Sequence, residues 1–276
     1  MNLQNIINEI EKVDPEVYDR LNGRRDAMKS FAKLSGRVAL TALPLAFGSM
    51  LQKAYGQSGA TLITDTLNFA LTLEYIEANF YIKGVATAGL IPAGPGVGAL
   101  TTIRDHETAH VNFLRTAITS LSGTPVTFTA EQFDFTADGT FPDVFSNYDT
   151  FLAVAQTFED TGVRAYKGQA GNLISNNAIL TAALNIHSVE ARHASHVRQM
   201  RKARGADVKP WITGNITGIG PVVAASYAGE ETTTQAGVNI IGIGGFASIN
   251  ADRASEAFDE PLTKDQVLAI VTPFFA

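Results

Sequence analysis

Six residues have the types and spacings to do chemistry together: Glu74, Glu107, His110, Glu159, Glu190 and His193. Two pairs, Glu107/His110 and Glu190/His193, follow the pattern Glu-x-x-His. On a helix a spacing of three puts both side chains on one face, so a carboxylate and an imidazole can reach the same ion. Four carboxylates gathered in a core would repel one another strongly, and each would cost several kcal/mol if left bare. Two divalent cations resolve this, because four negative charges then meet four positive ones and each ion takes one imidazole. The chain has no cysteine, so any metal is held by oxygen and nitrogen. Such donors suit iron and manganese alike. Adjacent metals bridged by carboxylates can share two electrons, which is the chemistry of dioxygen or peroxide.

Four helices must position these residues. The first is predicted over Leu62 to Lys83, closed by Gly84, with Ile63, Leu67, Ala70, Glu74, Glu77 and Tyr81 on its inner face. The second runs from about Val97 to Leu121, with Leu100, Ile103, Glu107, His110, Leu114, Ala117 and Leu121 inward at alternating spacings of three and four. The third spans Tyr148 to Ala170 and carries Leu152, Ala155, Glu159, Gly162 and Tyr166. The fourth spans Asn177 to Arg204 and carries Ile179, Ala183, Ile186, Glu190, His193, Val197 and Met200. Each stripe is apolar except at one level, and that level holds the six residues. Glu74 precedes Glu107 by 33 residues and Glu159 precedes Glu190 by 31, so the two halves nearly repeat. Short links within each pair and one long link, 126–147, between pairs describe an all-α, ferritin-like four-helix bundle with one long crossover. The same ligand pattern occurs in di-iron and di-manganese carboxylate proteins of that bundle type.

Groups around the six are assigned more loosely. Glu77 reads as either a seventh carboxylate ligand or a neighbour of the ligands. Tyr81 and Tyr166, each seven residues after a glutamate of the set, are expected to pack in the core with a satisfied hydroxyl, the alternative being a place beside the ligands. His106, His187 and His196 fall off the inner stripe and are read as surface residues or neighbours of the ligands, with His196 the first candidate among them for a further ligand.

The flanks differ in texture. Residues 1–57 contain Gly23-Arg24-Arg25-Asp26-Ala27-Met28-Lys29, an apolar run from Val38 to Leu51, and Ala54-Tyr55-Gly56. This order resembles a twin-arginine export signal and implies a bacterial protein exported to the periplasm already folded. An ordinary amphipathic N-terminal helix is the alternative. The apolar run is shorter than the roughly 20 residues a spanning helix needs, so no stable membrane span is expected in the mature chain. Residues 58–204 are the predicted bundle. Residues 205–276, rich in Gly, Thr and β-branched types, are predicted as an irregular C-terminal extension packing on the bundle, with a last helix starting at a Thr263/Gln266 capping box. A formal charge of −6 gives no sign of nucleic-acid binding, and nothing excludes a homo-oligomer.

The six residues, with Pro210-Trp211-Ile212-Thr213-Gly214, Tyr227-Ala228-Gly229-Glu230-Glu231-Thr232-Thr233-Thr234-Gln235 and Glu256-Ala257-Phe258-Asp259-Glu260-Pro261-Leu262, make the chain similar to bacterial ferritin-like domain proteins related to plant desiccation-related proteins. Manganese catalases resemble it more distantly. The resemblance implies the fold and a metal site, and leaves the reaction open. The leading expectation is an exported two-metal protein, iron or manganese, acting on dioxygen or peroxide and catalase-like at its sharpest. The alternative is a non-enzymatic stress or desiccation-related envelope protein whose metals staple the bundle. A hollow iron-storage cage fits less well, because it would have to accommodate the C-terminal extension.

Overall fold

The computed structural model describes residues 60–276. The expected export signal at residues 1–57 lies outside them. Four long helices carry the fold: α1 (Ala60–Ala86), α2 (Pro95–Ser120), α3 (Tyr148–Gln169) and α4 (Asn177–Ala203). Their starts follow local chemistry. Pro95 opens α2, where its missing N–H costs nothing. Asn147 caps α3 by accepting from the backbone N–H of Asp149 and Thr150, and Asn176 caps α4 by accepting from Ile179. The expected stop at Gly84 is wrong: α1 continues to Ala86. A Cβ at Gly84 would collide with the Phe151 ring, so this glycine permits close approach of α1 to α3.

Helix α1 packs along α2 and α3 along α4, joined by the long crossover, which gives the predicted all-α bundle core. The crossover is ordered by its phenyl rings. Phe135 and Phe145 close on Phe80 of α1, which stacks on Phe151 of α3 with centroids 4.6 Å apart and 7° between planes. Ring burial of this kind dominates core energetics. The C-terminus pairs with the same segment: Asp134 N–H donates to the Phe274 carbonyl and Ala276 N–H to that of Gln132, both at 2.9 Å.

Residues 205–276 contain a two-residue-per-strand hairpin, β1 (Thr234–Gln235) with β2 (Val238–Asn239), a short helix α5 (Ala251–Ser255) and α6 (Lys264–Val271). Thr263 and Gln266 form the expected capping box at the start of α6. Every residue of α3 from Phe151 to Tyr166 is buried. One face of α3 turns to the bundle. On another, Gln156, Asp160 and Arg164, four residues apart, hold the extension. Arg164 donates to the Ser226 and Ala228 carbonyls at 2.5 and 2.7 Å and pairs with Glu230 at 2.7 Å. Asp160 receives Arg198 from α4 at 2.9 and 2.5 Å and the Tyr227 hydroxyl at 2.7 Å. Each buried charge therefore has an opposite partner and hydrogen bonds, the condition under which burial is tolerated. No helix among the described residues is long and apolar enough to cross a membrane.

Candidate metal centre

The apolar stripes of the four helices converge at one level, and the structure brings all six sequence-predicted residues together there. Glu74, Glu107, Glu159 and Glu190 are fully buried, and His193 nearly so. Their donor atoms form two groups, each within 4.8 Å: Glu74, Glu107, His110 and Glu190 in one, and Glu107, Glu159, Glu190 and His193 in the other. Glu107 and Glu190 belong to both. Glu107 turns one oxygen to each side, Oε2 at 3.1 Å from His110 Nδ1 and Oε1 at 2.8 Å from His193 Nδ1. Glu74 Oε2 and Glu190 Oε1 lie 3.1 and 3.2 Å from His110 Nδ1, and Glu159 Oε2 lies 3.3 Å from His193 Nδ1.

His110 Nδ1 is hydrogen-bonded with Glu74 and Glu107, but other atoms of the cluster are left unsatisfied. Buried atoms without a hydrogen bond include Glu107 Oε1, Glu159 Oε2, both oxygens of Glu190 and His193 Nδ1. Glu107 Oε1 meets His193 Nδ1 as an ion pair and not as a hydrogen bond. Buried polar atoms are rarely left unpaired, and a concentration of them at one level requires an explanation. Lone pairs that converge without bonding one another fit divalent cations between them, so these buried glutamates and histidines could hold metal ions.

The tyrosines do more than fill the core. Tyr81 of α1 donates to Glu159 Oε1 of α3 at 2.5 Å, and Tyr166 of α3 donates to Glu74 Oε1 of α1. Each helix thus steadies the glutamate of the other, and the two glutamates so held are the ones not shared between the donor groups. Burial, then the nearby carboxylates, pushes both phenols well above their usual range, so they stay protonated donors.

Electrostatics separate the carboxylates. Burial raises Glu74 to about 7, and raises Glu159, Glu77 and Glu190, the last two strongly. Glu107 is the exception: burial pushes it up, but the His110 hydrogen bond and the close His193 ring prevail and hold it at about 2. The imidazoles answer in kind. Burial pulls His193 down, but Glu159 and Glu107 lift it to about 11, and His110 is pushed far up by Glu107, Glu190 and Glu74. The metal-free cluster is therefore a mixture of protonated carboxyls and imidazolium ions, and metal binding must displace their protons.

Glu77 is buried but stands outside both donor groups. A Cβ at Gly162 would lie 3.2 Å from Glu77 Oε1 and 3.3 Å from Glu190 Oε2, so the glycine leaves room for both. Glu77 is thus a close neighbour of the cluster. His196, expected as the off-stripe histidine with the best chance of being a further ligand, is exposed on α4 and outside both groups, because two successive steps of three from Glu190 turn it about 120° away from that glutamate. His187 binds the Val163 carbonyl at 3.0 Å. The off-stripe histidine that does touch the set is His106, whose Nδ1 lies 2.9 Å from His193 Nε2. A signal for it was available: His106 and His110 are four apart and so share a side of α2.

Residues 63–203, just over half of the chain, match the sequence model of the ferritin-like domain family. No curated protein matches the sequence.

Proposed function

We propose, from the premise that this chain belongs to the ferritin-like domain family, that it is a two-metal carboxylate protein of the bacterial envelope that carries out redox chemistry on dioxygen or peroxide. The observation that carries this reading is the overlap of two four-residue donor groups through Glu107 and Glu190. Glu74 and His110 would hold one ion, Glu159 and His193 the other, and the two shared glutamates both. When bound, iron or manganese supplies a pair of one-electron redox partners to a small oxidant. The chain's own part is to hold, orient and exclude water. Tyr81 and Tyr166 donate hydrogen bonds to the outer oxygens of Glu159 and Glu74 and so aim the remaining oxygens at the ions. Complete burial of the four glutamates lowers the local dielectric and strengthens each ion–carboxylate contact. The twin-arginine-like order around Arg24 and Arg25 supports export after folding, which suits a protein that takes up its metal in the cytoplasm.

The test is elemental analysis of protein purified from its native host, followed by peroxide- and dioxygen-consumption assays. About two iron or manganese ions per chain and turnover of one oxidant are expected. A chain purified without metal would refute the reading. A loaded chain inert to both oxidants would leave the second reading, metals that staple the bundle, which the complete burial of the glutamates also favours.

A further inference from the structure

His106 is exposed, yet it is hydrogen-bonded to a buried residue of the cluster. Its Nδ1 lies 2.9 Å from His193 Nε2, and the two rings stack with centroids 5.2 Å apart and 15° between planes. His193 turns its other nitrogen, Nδ1, to Glu107 Oε1 at 2.8 Å and Glu159 Oε2 at 3.3 Å. With Nδ1 given to that side as a ligand, the ring proton of His193 sits on Nε2. Nε2–H therefore donates and His106 Nδ1 accepts, which places the proton of His106 on its own Nε2. His110 has no such support: its Nδ1 faces Glu74, Glu107 and Glu190, and among the described residues no side chain is hydrogen-bonded to its Nε2. The tyrosines treat the two halves alike, whereas His106 supports one imidazole only.

We infer that His106 is a positioning residue for His193 alone, fixing the tautomer and ring plane of one of the two imidazoles and thereby making the two metal positions unequal in affinity. An acceptor on the far nitrogen of a metal-bound imidazole orients the ring and raises its basicity, and losing one typically costs 10–100-fold in metal affinity. The inference rests on the reading that the cluster holds two ions. It adds that the ion beside His193 is gripped through a contact reaching the protein surface, whereas the ion beside His110 is not.

Two variants separate this from simple packing. His106→Phe keeps a ring to stack on His193 but removes the acceptor. His106→Asn removes the ring but puts Oδ1 the same number of bonds from Cα as the lost Nδ1. Cobalt(II) titrated into the full, metal-free chain reports each position by visible absorption, and the exchangeable imidazole N–H protons appear as shifted NMR signals. Wild type should bind in two steps. His106→Phe should weaken one step by about 10–100-fold, leave the other unchanged and speed solvent exchange of one N–H signal only. His106→Asn should recover most of the loss. Equal weakening of both steps, no weakening of either, or an Asn variant no better than Phe would overturn the inference. Should His106→Phe disturb the melting of the metal-free chain, His106→Ala takes its place with the same expectations. Wild type that binds no cobalt would bring down the two-ion reading as well, whereas wild type with two steps and indifferent variants would sink the role of His106 alone.

Discussion

Raising the pH of the metal-free protein from about 5 to 7 forces protons off carboxyls that have no water to receive the charge. Glu74 shows the size of the effect. Its pKa is 4.5 unfolded and about 7 folded, and burial is the main cause. Because the folded value is the higher, the folded state binds more protons than the unfolded one between pH 4.5 and 7, and stability falls as pH rises through that window. At about 1.4 kcal/mol per pH unit, Glu74 alone removes on the order of 3 kcal/mol. Glu159 and Glu190 act in the same direction. Glu107, held at about 2, gives stability that is complete above its unfolded value of 4.5, so it is constant here. His193, raised to about 11 from 6.5, begins to cost stability only near the top of the window. For a chain of this size the loss corresponds to a melting temperature lower by roughly 6–12 °C. Metal-loaded protein should not show it, since bound ions have already displaced the protons. The assay is a set of thermal melts at fixed ionic strength, with and without chelator, on wild type and on a variant with Glu74, Glu107, Glu159 and Glu190 all changed to Gln. Glu230, raised to about 7 mainly by burial, and Glu77, raised strongly by burial, leave a residual slope in both proteins. A metal-free wild type whose stability rises from pH 5 to 7, or a slope undiminished in the quadruple variant, would refute the reasoning.

Three further outcomes are expected. Glu107→Ala, which removes a ligand from both donor groups, should drop bound metal from about two ions per chain to below one, while Glu74→Ala should retain about one; elemental analysis distinguishes them. Tyr81→Phe strands Glu159 Oε1 in the core and should lower stability by about 1–3 kcal/mol in denaturant melts, without changing metal stoichiometry. Changing Arg24 and Arg25 to Lys should trap the precursor in the cytoplasm, as read by cell fractionation, because such a signal is read by a receptor.

The bundle and the six central residues were legible because each glutamate and histidine interrupts an otherwise apolar stripe at the same depth. Relations between helices were harder to read. Tyr81 and Tyr166 lie two turns from the glutamates of their own helices, and spacing along one helix says nothing of the hydroxyl reaching across to the other. His196 shows the opposite error: it is the off-stripe histidine expected to reach the site, but its side of α4 faces outward. Gly84 reads as a helix stop by residue type, yet the need it meets is room for Phe151, which comes from a different helix. The stripe Gln156, Asp160 and Arg164 is visible as polarity on α3. Its partners, Tyr227 and Ser226 to Glu230, lie more than sixty residues away in a glycine-rich segment without periodicity, so nothing in the sequence assigned them.

The arginine sockets bear on how such a chain can change over time. The family match stops at residue 203, but Arg164 and Asp160 inside the matched region find partners between residues 226 and 260. A bundle transplanted without its tail would leave Arg164 with neither its carboxylate nor its carbonyls. Breaking one buried ion pair costs about 3–5 kcal/mol, against a total stability of roughly 5–15 kcal/mol for an ordinary domain. Recombination that swaps the four helices for a relative's would therefore have to carry residues 205–276 along with them. Substitutions on the outer side of α3 would be accepted only in step with the loop that receives them, so the seam recognisable by similarity is a poor place to cut.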